Sequence, residues 1–177
     1  MQSNYKETLL KNGVISFVPK GDSMWPFIKN GKQSVIIKQV KEPLKKFDVC
    51  FYERADGSFV LHRIIDFFDG GYIVIGDSQM TKEKVKKEQV FGVMVEFYKG
   101  KKIISVNDKN YLKSVEKWYA NLVKRQRKIK NYYFWQRVKS KGWRQSCCQN
   151  FVIPKKEKPT FVGFGVDQKS LLLLLVL

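Results

Sequence analysis

Three polar side chains of this sequence lie where they could carry chemistry. Ser23 is in a turn-rich stretch, residues 21–26, that follows a short apolar run. A serine hydroxyl is a poor nucleophile unless a base takes its proton. The single histidine, His62, has apolar neighbours, and an imidazole with a pKa of about 6.5 is the natural base at neutral pH. Asp77 follows the next apolar run, where a carboxylate could fix the imidazole tautomer.

Each of these side chains also has a purely structural interpretation. A serine in a turn commonly bonds to the nearby backbone. A lone histidine in a strand is often a packed residue whose hydrogen bonds are satisfied, and an aspartate after a strand often belongs to a turn. Singly, the three residues indicate little. Their order and spacing along the chain favour a shared site.

The segments around these residues predict a mainly β domain over roughly residues 10–106. Short runs rich in β-branched and aromatic residues alternate with turns rich in Gly, Asp and Pro. The predicted strands are residues 13–19, 33–40, 47–53, 59–67, 72–75, 90–98 and 102–106. Residues 76–87 are polar and charged and are expected to connect two strands. Short strands at close spacing are typical of a small barrel or sandwich.

Positive charge is concentrated in the second part of the 177-residue chain. Residues 1–100 hold 16 Lys and Arg against 12 Asp and Glu, whereas residues 101–177 hold 18 against four. Such a basic segment indicates a polyanionic partner, either nucleic acid or an anionic membrane surface. Residues 111–143 lack proline and space their apolar residues roughly as a helix does. They predict one or two basic amphipathic helices, with a break at Gln126.

The helical segment has three interpretations. It could pack its aromatic face on the β domain, dock residues 110–144 on an anionic membrane, or bind nucleic acid, which is the least favoured of the three. We divide the chain into a β domain over residues 1–108, a basic helical segment over residues 109–144 and an irregular tail over residues 145–177.

Several classes of protein are excluded by composition. The chain has three cysteines, Cys50, Cys147 and Cys148. This odd number does not suggest a disulfide framework, and no set of ligands in the sequence resembles a zinc site. The first residues lack the apolar stretch of a signal peptide, and no run reaches the ~18–20 apolar residues that span a bilayer. We expect a cytoplasmic protein with, at most, peripheral contact at the inner membrane surface. No metal or organic cofactor is expected.

The chemistry-bearing residues come in an order that resembles one peptidase superfamily. The sequence has Ser-Met-x-Pro at residues 23–26, Val-Leu-His-Arg-Ile at residues 60–64 and Gly-Asp at residues 76–77. This series resembles the superfamily that joins type I signal peptidases with self-cleaving repressor-type peptidases, in the variant with a histidine base. The resemblance covers roughly residues 14–98 and implies a signal peptidase-like β domain, here without an N-terminal membrane anchor.

The resemblance implies a serine endopeptidase that cleaves a peptide bond in a precursor or leader peptide. Ser23 is then the nucleophile, His62 the general base, and Asp77 the group that orients His62. Glu83, where one branch of the superfamily can use a second acid, is an alternative third member. Gly21 stands where many signal peptidases have an oxyanion-binding serine, so the oxyanion is expected to rest on backbone donors, including the Ser23 amide.

The resemblance also implies a substrate that lies extended along residues 14–18 and pairs with their backbone. Small side chains are expected at the scissile position. The expected substrate contacts are Val14, Ser16, Val18, Gly21, Met24 and Trp25. Trp25 and Phe27 are expected to flank the cleft, unless they serve ordinary apolar packing. Arg63 is expected to be a structural surface charge.

Two other functions remain open. A non-catalytic relative would bind peptides or anionic surfaces through the basic half of the chain. A self-cleaving regulator of the repressor type would carry a helix-turn-helix domain ahead of the peptidase domain, and the 22 residues before Ser23 are too few for one. Because Ser23, His62 and Asp77 are all present, the sequence favours the enzyme.

Overall fold

One antiparallel β-sheet is the framework of residues 5–140, the part of the chain that the computed structural model describes. Its strands are β1 (Val14–Phe17), β2 (Val35–Gln39), β3 (Val49–Glu53), β4 (Phe59–Phe68), β5 (Gly71–Ile75), β6 (Lys82–Lys86), β7 (Val90–Lys99) and β8 (Lys102–Ser105). Helix α1 (Tyr5–Asn12) precedes the sheet, and α2 (Lys109–Ala120) and α3 (Leu122–Ser140) follow it. The prediction of a mainly β domain followed by a basic helical segment is confirmed.

The order of the strands leaves some backbone groups near Ser23 without a neighbouring strand. The sheet runs β1-β2-β7-β3-β4-β5-β6, with β8 paired to β7. Within the described residues, β1 and β6 each pair with one neighbour and are therefore edge strands. Residues 59–62 of β4 pair with β3 alone, because β5 joins β4 only from Arg63 onward. The first half of β4 therefore has one side without a neighbouring strand.

Two hydrophobic clusters pack against the sheet. Alternate residues of β3 belong to different clusters, with Phe51 in the larger one and Tyr52 in the smaller one. This alternation follows from the two-residue period of a strand. The larger cluster also takes in Leu9 of α1 and Val115 of α2, both of which are fully buried. Burial of such side chains contributes about 2 kcal/mol each and holds both helices on the sheet.

Strand β6 lies where the sequence predicts a polar connection. Val85 is its one buried residue, and its other positions are charged. A strand at the edge of a sheet can keep charged side chains in water, and for that reason its sequence lacks the usual strand pattern. The prediction for residues 76–87 was therefore wrong over residues 82–86.

The two C-terminal helices meet at Asn121 rather than at the predicted break, Gln126. The Asn121 side chain accepts a hydrogen bond from the Lys124 N–H at 2.8 Å, which caps the start of α3. Among residues 5–140, no helix combines the length and the apolar character needed to cross a bilayer. The expected end of the helical segment, residues 141–144, and the expected tail, residues 145–177, lie outside the described residues.

Candidate active site

Ser23 lies in the loop between β1 and β2. Gly21 enters this loop with a φ of 94°, a conformation that residues with a Cβ rarely adopt. The Gly21 N–H donates to Asn30 Oδ1 at 3.1 Å, and the Trp25 N–H donates to the Asp22 carbonyl at 3.0 Å. Together these bonds give the turn a defined path and leave the Ser23 side chain partly exposed.

The loop after β5 is hydrogen-bonded to the backbone of the serine turn. The Ser78 N–H donates to the Ser23 carbonyl at 2.8 Å, and Ser78 Oγ donates to the Asp22 carbonyl at 2.7 Å. Gly76 permits this approach, because a Cβ at that position would lie 2.8 Å from the Ser23 carbonyl oxygen. The Gly-Asp-Ser sequence at residues 76–78 therefore positions the backbone of the serine turn.

Asp77 itself neutralises a buried arginine. Its carboxylate accepts hydrogen bonds from Arg63 Nε at 2.8 Å and Arg63 Nη2 at 2.7 Å, and from the Tyr119 hydroxyl at 2.6 Å. Among the described residues it makes no hydrogen bond or ion pair with His62, so the expectation that Asp77 orients the imidazole is corrected. Arg63 is 0% exposed, which corrects the expectation that it is a surface charge.

His62 is held by its Nδ1 atom. Nδ1 lies 3.2 Å from the Tyr52 hydroxyl oxygen and 3.3 Å from Glu83 Oε1. Tyr52 uses its one hydroxyl proton to donate to Glu83 Oε2 at 3.0 Å, so both groups that face Nδ1 are acceptors. We therefore assign the proton of the neutral ring to Nδ1. Nε2 then keeps the lone pair that a general base needs.

Glu83 is the carboxylate beside the imidazole. Strand β6 places it there, and Arg54 Nε donates to Glu83 Oε2 at 2.9 Å. Burial alone would raise the pKa of Glu83, but the hydrogen bonds from Arg54 and the neighbouring charges lower it below its usual value. Burial lowers the pKa of His62 to about 4, although the Glu83 charge opposes this change. At neutral pH the pair is an uncharged imidazole beside an ionised carboxylate.

Ser23 and His62 line the same cleft, whose volume is about 460 Å³. One wall is the chain from Phe17 to Ser23, and the other is the open first half of β4. Within residues 5–140, no hydrogen bond joins Ser23 Oγ to His62, and the Ser23 N–H has no acceptor. Catalytic hydrogen bonds are often long before substrate binds. The cleft therefore holds a hydroxyl, a neutral imidazole and an available amide donor.

The expected substrate contacts are divided between this cleft and other surfaces. The cleft includes Val18, Gly21 and Met24. Val14 and Ser16 of β1 do not line it, and Ser16 Oγ lies 2.8 Å from Ser34 Oγ. Residues at the end of β1, rather than those along it, therefore face the Ser23 turn.

Trp25 and Phe27 lie on the helical side of the turn and do not flank the cleft. The Trp25 ring stacks on Tyr132 with centroids 4.2 Å apart and meets Trp118 edge to face. Phe27 also packs edge to face on Trp118. Both rings line grooves against α2 and α3, so the expected cleft position of Trp25 and Phe27 was wrong, and their alternative role in packing is the observed one.

Three residues of the site had no functional signal in the sequence. Tyr52 belongs to a predicted strand and Arg54 directly follows it, and both meet Glu83 only because of the strand order. Ser78 directly follows Asp77, and this adjacency was the one available hint. Residue types alone cannot show which of the two acids, Asp77 or Glu83, lies beside His62 on β4, because this depends on how the strands pair.

Cys50 lies opposite His62 on the neighbouring strand β3 and does not line the cleft. It is fully buried, and its thiol donates to the His62 carbonyl at 3.4 Å. Burial raises the pKa of Cys50 to about 12, so the thiol stays protonated. Across the described residues, no three His, Cys, Asp or Glu side chains gather in a way that could hold a metal ion.

Hydrolysis by a serine nucleophile needs the groups that this cleft brings together: a hydroxyl, a base in the correct tautomer, a carboxylate on the far nitrogen and an oxyanion donor. No protein-family model matches the chain, and no curated protein matches it. The chemistry of the site is therefore the basis for proposing a function.

Proposed function

We propose that this chain is a serine endopeptidase of the signal peptidase-like type, which cleaves a peptide bond in a precursor or leader peptide. The observation that carries the proposal is the shared cleft of Ser23 and His62, with His62 Nδ1 engaged by Tyr52 and Glu83. This arrangement leaves Nε2 as the proton acceptor. Glu83 takes the orienting role that the resemblance implied first for Asp77, with Glu83 as its alternative.

The proposed reaction has two steps of the same kind. Ser23 Oγ attacks the peptide carbonyl carbon while its proton passes to His62 Nε2, and the Ser23 N–H stabilises the oxyanion. The C–N bond breaks, and His62 returns the proton to the leaving amine. A water molecule then attacks the acyl ester with His62 as base, which releases the acid and restores Ser23. Glu83 stabilises the imidazolium that forms in each step.

The substrate in this proposal is an extended peptide. The open edge of β1 and the unpaired side of residues 59–62 leave backbone groups available for strand-like pairing. The cleft is lined by apolar side chains near Ser23, among them Met24, Ile28 and Leu61. Such a lining favours an apolar side chain next to the scissile bond, and the resemblance to signal peptidases implies a small one.

The proposed place of action is the cytoplasmic side of the inner membrane, where α3 contacts anionic lipid. Helix α3 carries seven Lys and Arg and no Asp or Glu. Its Phe134 and Trp135 are each 60% exposed. Cations beside exposed aromatic rings suit an interfacial helix. The same helix stacks Tyr132 on Trp25, and Phe134, two positions further on, lies on the other side of the helix. Trp135 lines the groove that Trp25 and Tyr132 share.

A serine-reactive fluorophosphonate probe tests the nucleophile directly. We expect the probe to label the wild-type protein on Ser23 and to leave Ser23→Ala unlabelled, as read by mass spectrometry of the modified peptide. Ser114→Ala is the matched control, because Ser114 lies on α2 outside the cleft. Its labelling should equal that of the wild type.

Three results would contradict the proposal. Labelling that persists in Ser23→Ala identifies a different nucleophile. A folded wild-type protein that takes up no probe and cleaves no member of a peptide library favours the alternative of a non-catalytic peptide- or surface-binding relative. Cleavage confined to the chain itself favours the self-cleaving regulator.

A further inference from the structure

Helix α3 contacts the serine turn on both sides of Ser23. The Tyr132 hydroxyl donates to Asp22 Oδ1 at 2.9 Å, and the Tyr132 ring stacks on Trp25 with an interplanar angle of 18°. Asp22 precedes Ser23 directly, and Trp25 follows two positions later. A single side chain of α3 therefore restrains the turn on either side of the proposed nucleophile.

A second tyrosine reaches the same turn through Ser78. The Tyr133 and Ser78 hydroxyl oxygens lie 2.8 Å apart. Ser78 uses its one proton to donate to the Asp22 carbonyl at 2.7 Å, so Tyr133 is the donor in its bond with Ser78. The result is a chain of hydrogen bonds from α3 through Ser78 to the backbone at Asp22.

The helix that carries these tyrosines is anchored to the loop after β5. The Arg125 side chain is 2% exposed and donates through Nη2 to the Gly76 carbonyl at 3.2 Å and to the Gln79 carbonyl. Ile129, one turn further along α3, is also buried. Because this loop holds the Ser23 turn through Ser78, α3 and the loop form one support behind the nucleophile.

We propose that Tyr132 and Tyr133 are positioning residues that keep Ser23 Oγ within reach of His62. This inference rests on the proposed function. Neither tyrosine lines the cleft, so both act through Asp22 and Ser78 and touch no substrate. The accuracy matters because a displacement of about 1 Å in a reacting group can cost on the order of 100-fold in rate.

The test is the kinetics of fluorophosphonate labelling at Ser23 in the full-length protein. Tyr132→Phe keeps the ring that stacks on Trp25 and removes the hydroxyl that bonds to Asp22. We expect the labelling rate at saturating probe, kinact, to fall roughly tenfold, while the half-saturating concentration KI, the pH midpoint and the melting temperature stay as in the wild type. Tyr98→Phe, which removes a hydroxyl from β7 outside the cleft, is the matched control and should label at the wild-type rate.

A double-mutant cycle identifies the route of action. If Tyr132 acts through Asp22, Tyr132→Phe should have no further effect on kinact in an Asp22→Ala background. Tyr133→Phe provides a second variant at a more exposed position, and we expect a smaller fall in kinact from it.

The outcomes separate this inference from the proposed function. Wild-type kinact in both tyrosine variants overturns the positioning role while labelling at Ser23 still supports the enzyme. A fall in kinact that only accompanies a lower melting temperature shows a merely structural role and also overturns it. A wild-type protein that is not labelled at Ser23 overturns both.

Discussion

The proposed base of this site is a histidine that burial keeps neutral. His62 is 1% exposed, and loss of water around the ring disfavours the imidazolium. A base with a low pKa is intrinsically weak, but it is present in the useful form at every pH above that pKa. Glu83 compensates by stabilising the positive charge that develops on the ring during proton transfer.

The depressed pKa of His62 sets the acid limit of the proposed reaction. Because protonated His62 cannot accept the Ser23 proton, we expect kinact/KI for the fluorophosphonate to rise with pH through a midpoint of about 4 and to be level from about pH 6 to 8. The measurement is labelling rate against pH, with melting temperature recorded at each pH to exclude acid unfolding. A midpoint at the ordinary histidine value of about 6.5 would contradict the buried, neutral state described here.

At the scale of secondary structure, the strand order separates the roles of the two acids downstream of His62. Glu83 lies on β6, opposite Val74 of β5, and reaches the imidazole across the sheet. Asp77 follows the end of β5 and faces Arg63 of β4 together with Tyr119 of α2. Glu83 therefore contacts His62, whereas Asp77 links β4 of the sheet to helix α2.

Substitution of each acid should have a different effect. We expect Glu83→Gln to lower kinact roughly 100-fold and to change the free energy of unfolding by less than about 1 kcal/mol, because Glu83 is partly exposed. Asp77→Asn should lower the free energy of unfolding by about 3–5 kcal/mol, since it leaves the fully buried Arg63 without its counter-charge. Urea unfolding and probe labelling measure the two effects.

Glu88→Gln, at an exposed position after β6, is the matched control and should change neither quantity. The reverse pattern, in which Asp77→Asn abolishes labelling at unchanged stability and Glu83→Gln labels normally, would restore Asp77 as the partner of His62.

The strands that bury apolar residues could be predicted from the sequence, and so could the position of Ser23 and His62 in one cleft. Residues such as those of β4 and β7 combine β-branched and aromatic side chains, whose strand preference is local. Glu83 could only be kept as an alternative, because its contact with His62 depends on the pairing of β5 with β6, and the charged residues of β6 have no strand pattern. The packing of the Trp25 ring against the helices could not be predicted either, because it depends on where α3 packs.

At the scale of the whole molecule, α3 has one side that is buried and one side that is exposed. Arg125 and Ile129 are buried, whereas Val123 and Phe134 are 78% and 60% exposed. Exposed apolar residues on a cationic helix favour contact with an anionic interface. The support for the proposed nucleophile and the proposed lipid contact are therefore parts of one helix.

Binding to vesicles tests the lipid contact. We expect the protein to sediment with vesicles that contain phosphatidylglycerol, not with pure phosphatidylcholine vesicles, and to be released as salt shortens the reach of its charges. Lysines near such a surface contribute about 1 kcal/mol each, so Lys124→Gln with Lys130→Gln should weaken binding roughly 30-fold. Lys82→Gln with Lys86→Gln, two exposed lysines of β6, is the matched control and should bind as the wild type.

Equal binding to neutral and anionic vesicles would contradict an electrostatic contact. Binding to a single-stranded oligonucleotide that is stronger than binding to anionic vesicles, and that is lost in the same lysine variant, would instead identify nucleic acid as the polyanion.

Cys50 has a practical consequence for covalent inhibition. Alkylating reagents such as iodoacetamide consume thiolates, and a thiol whose pKa is about 12 offers almost none at neutral pH. Electrophiles that react with sulfur should therefore leave Cys50 unmodified, whereas boronates and β-lactams, which capture oxygen nucleophiles, should react with the proposed nucleophile, Ser23. The type of electrophile that reacts in the cleft therefore tests the proposed serine chemistry against thiol chemistry without any knowledge of a natural substrate.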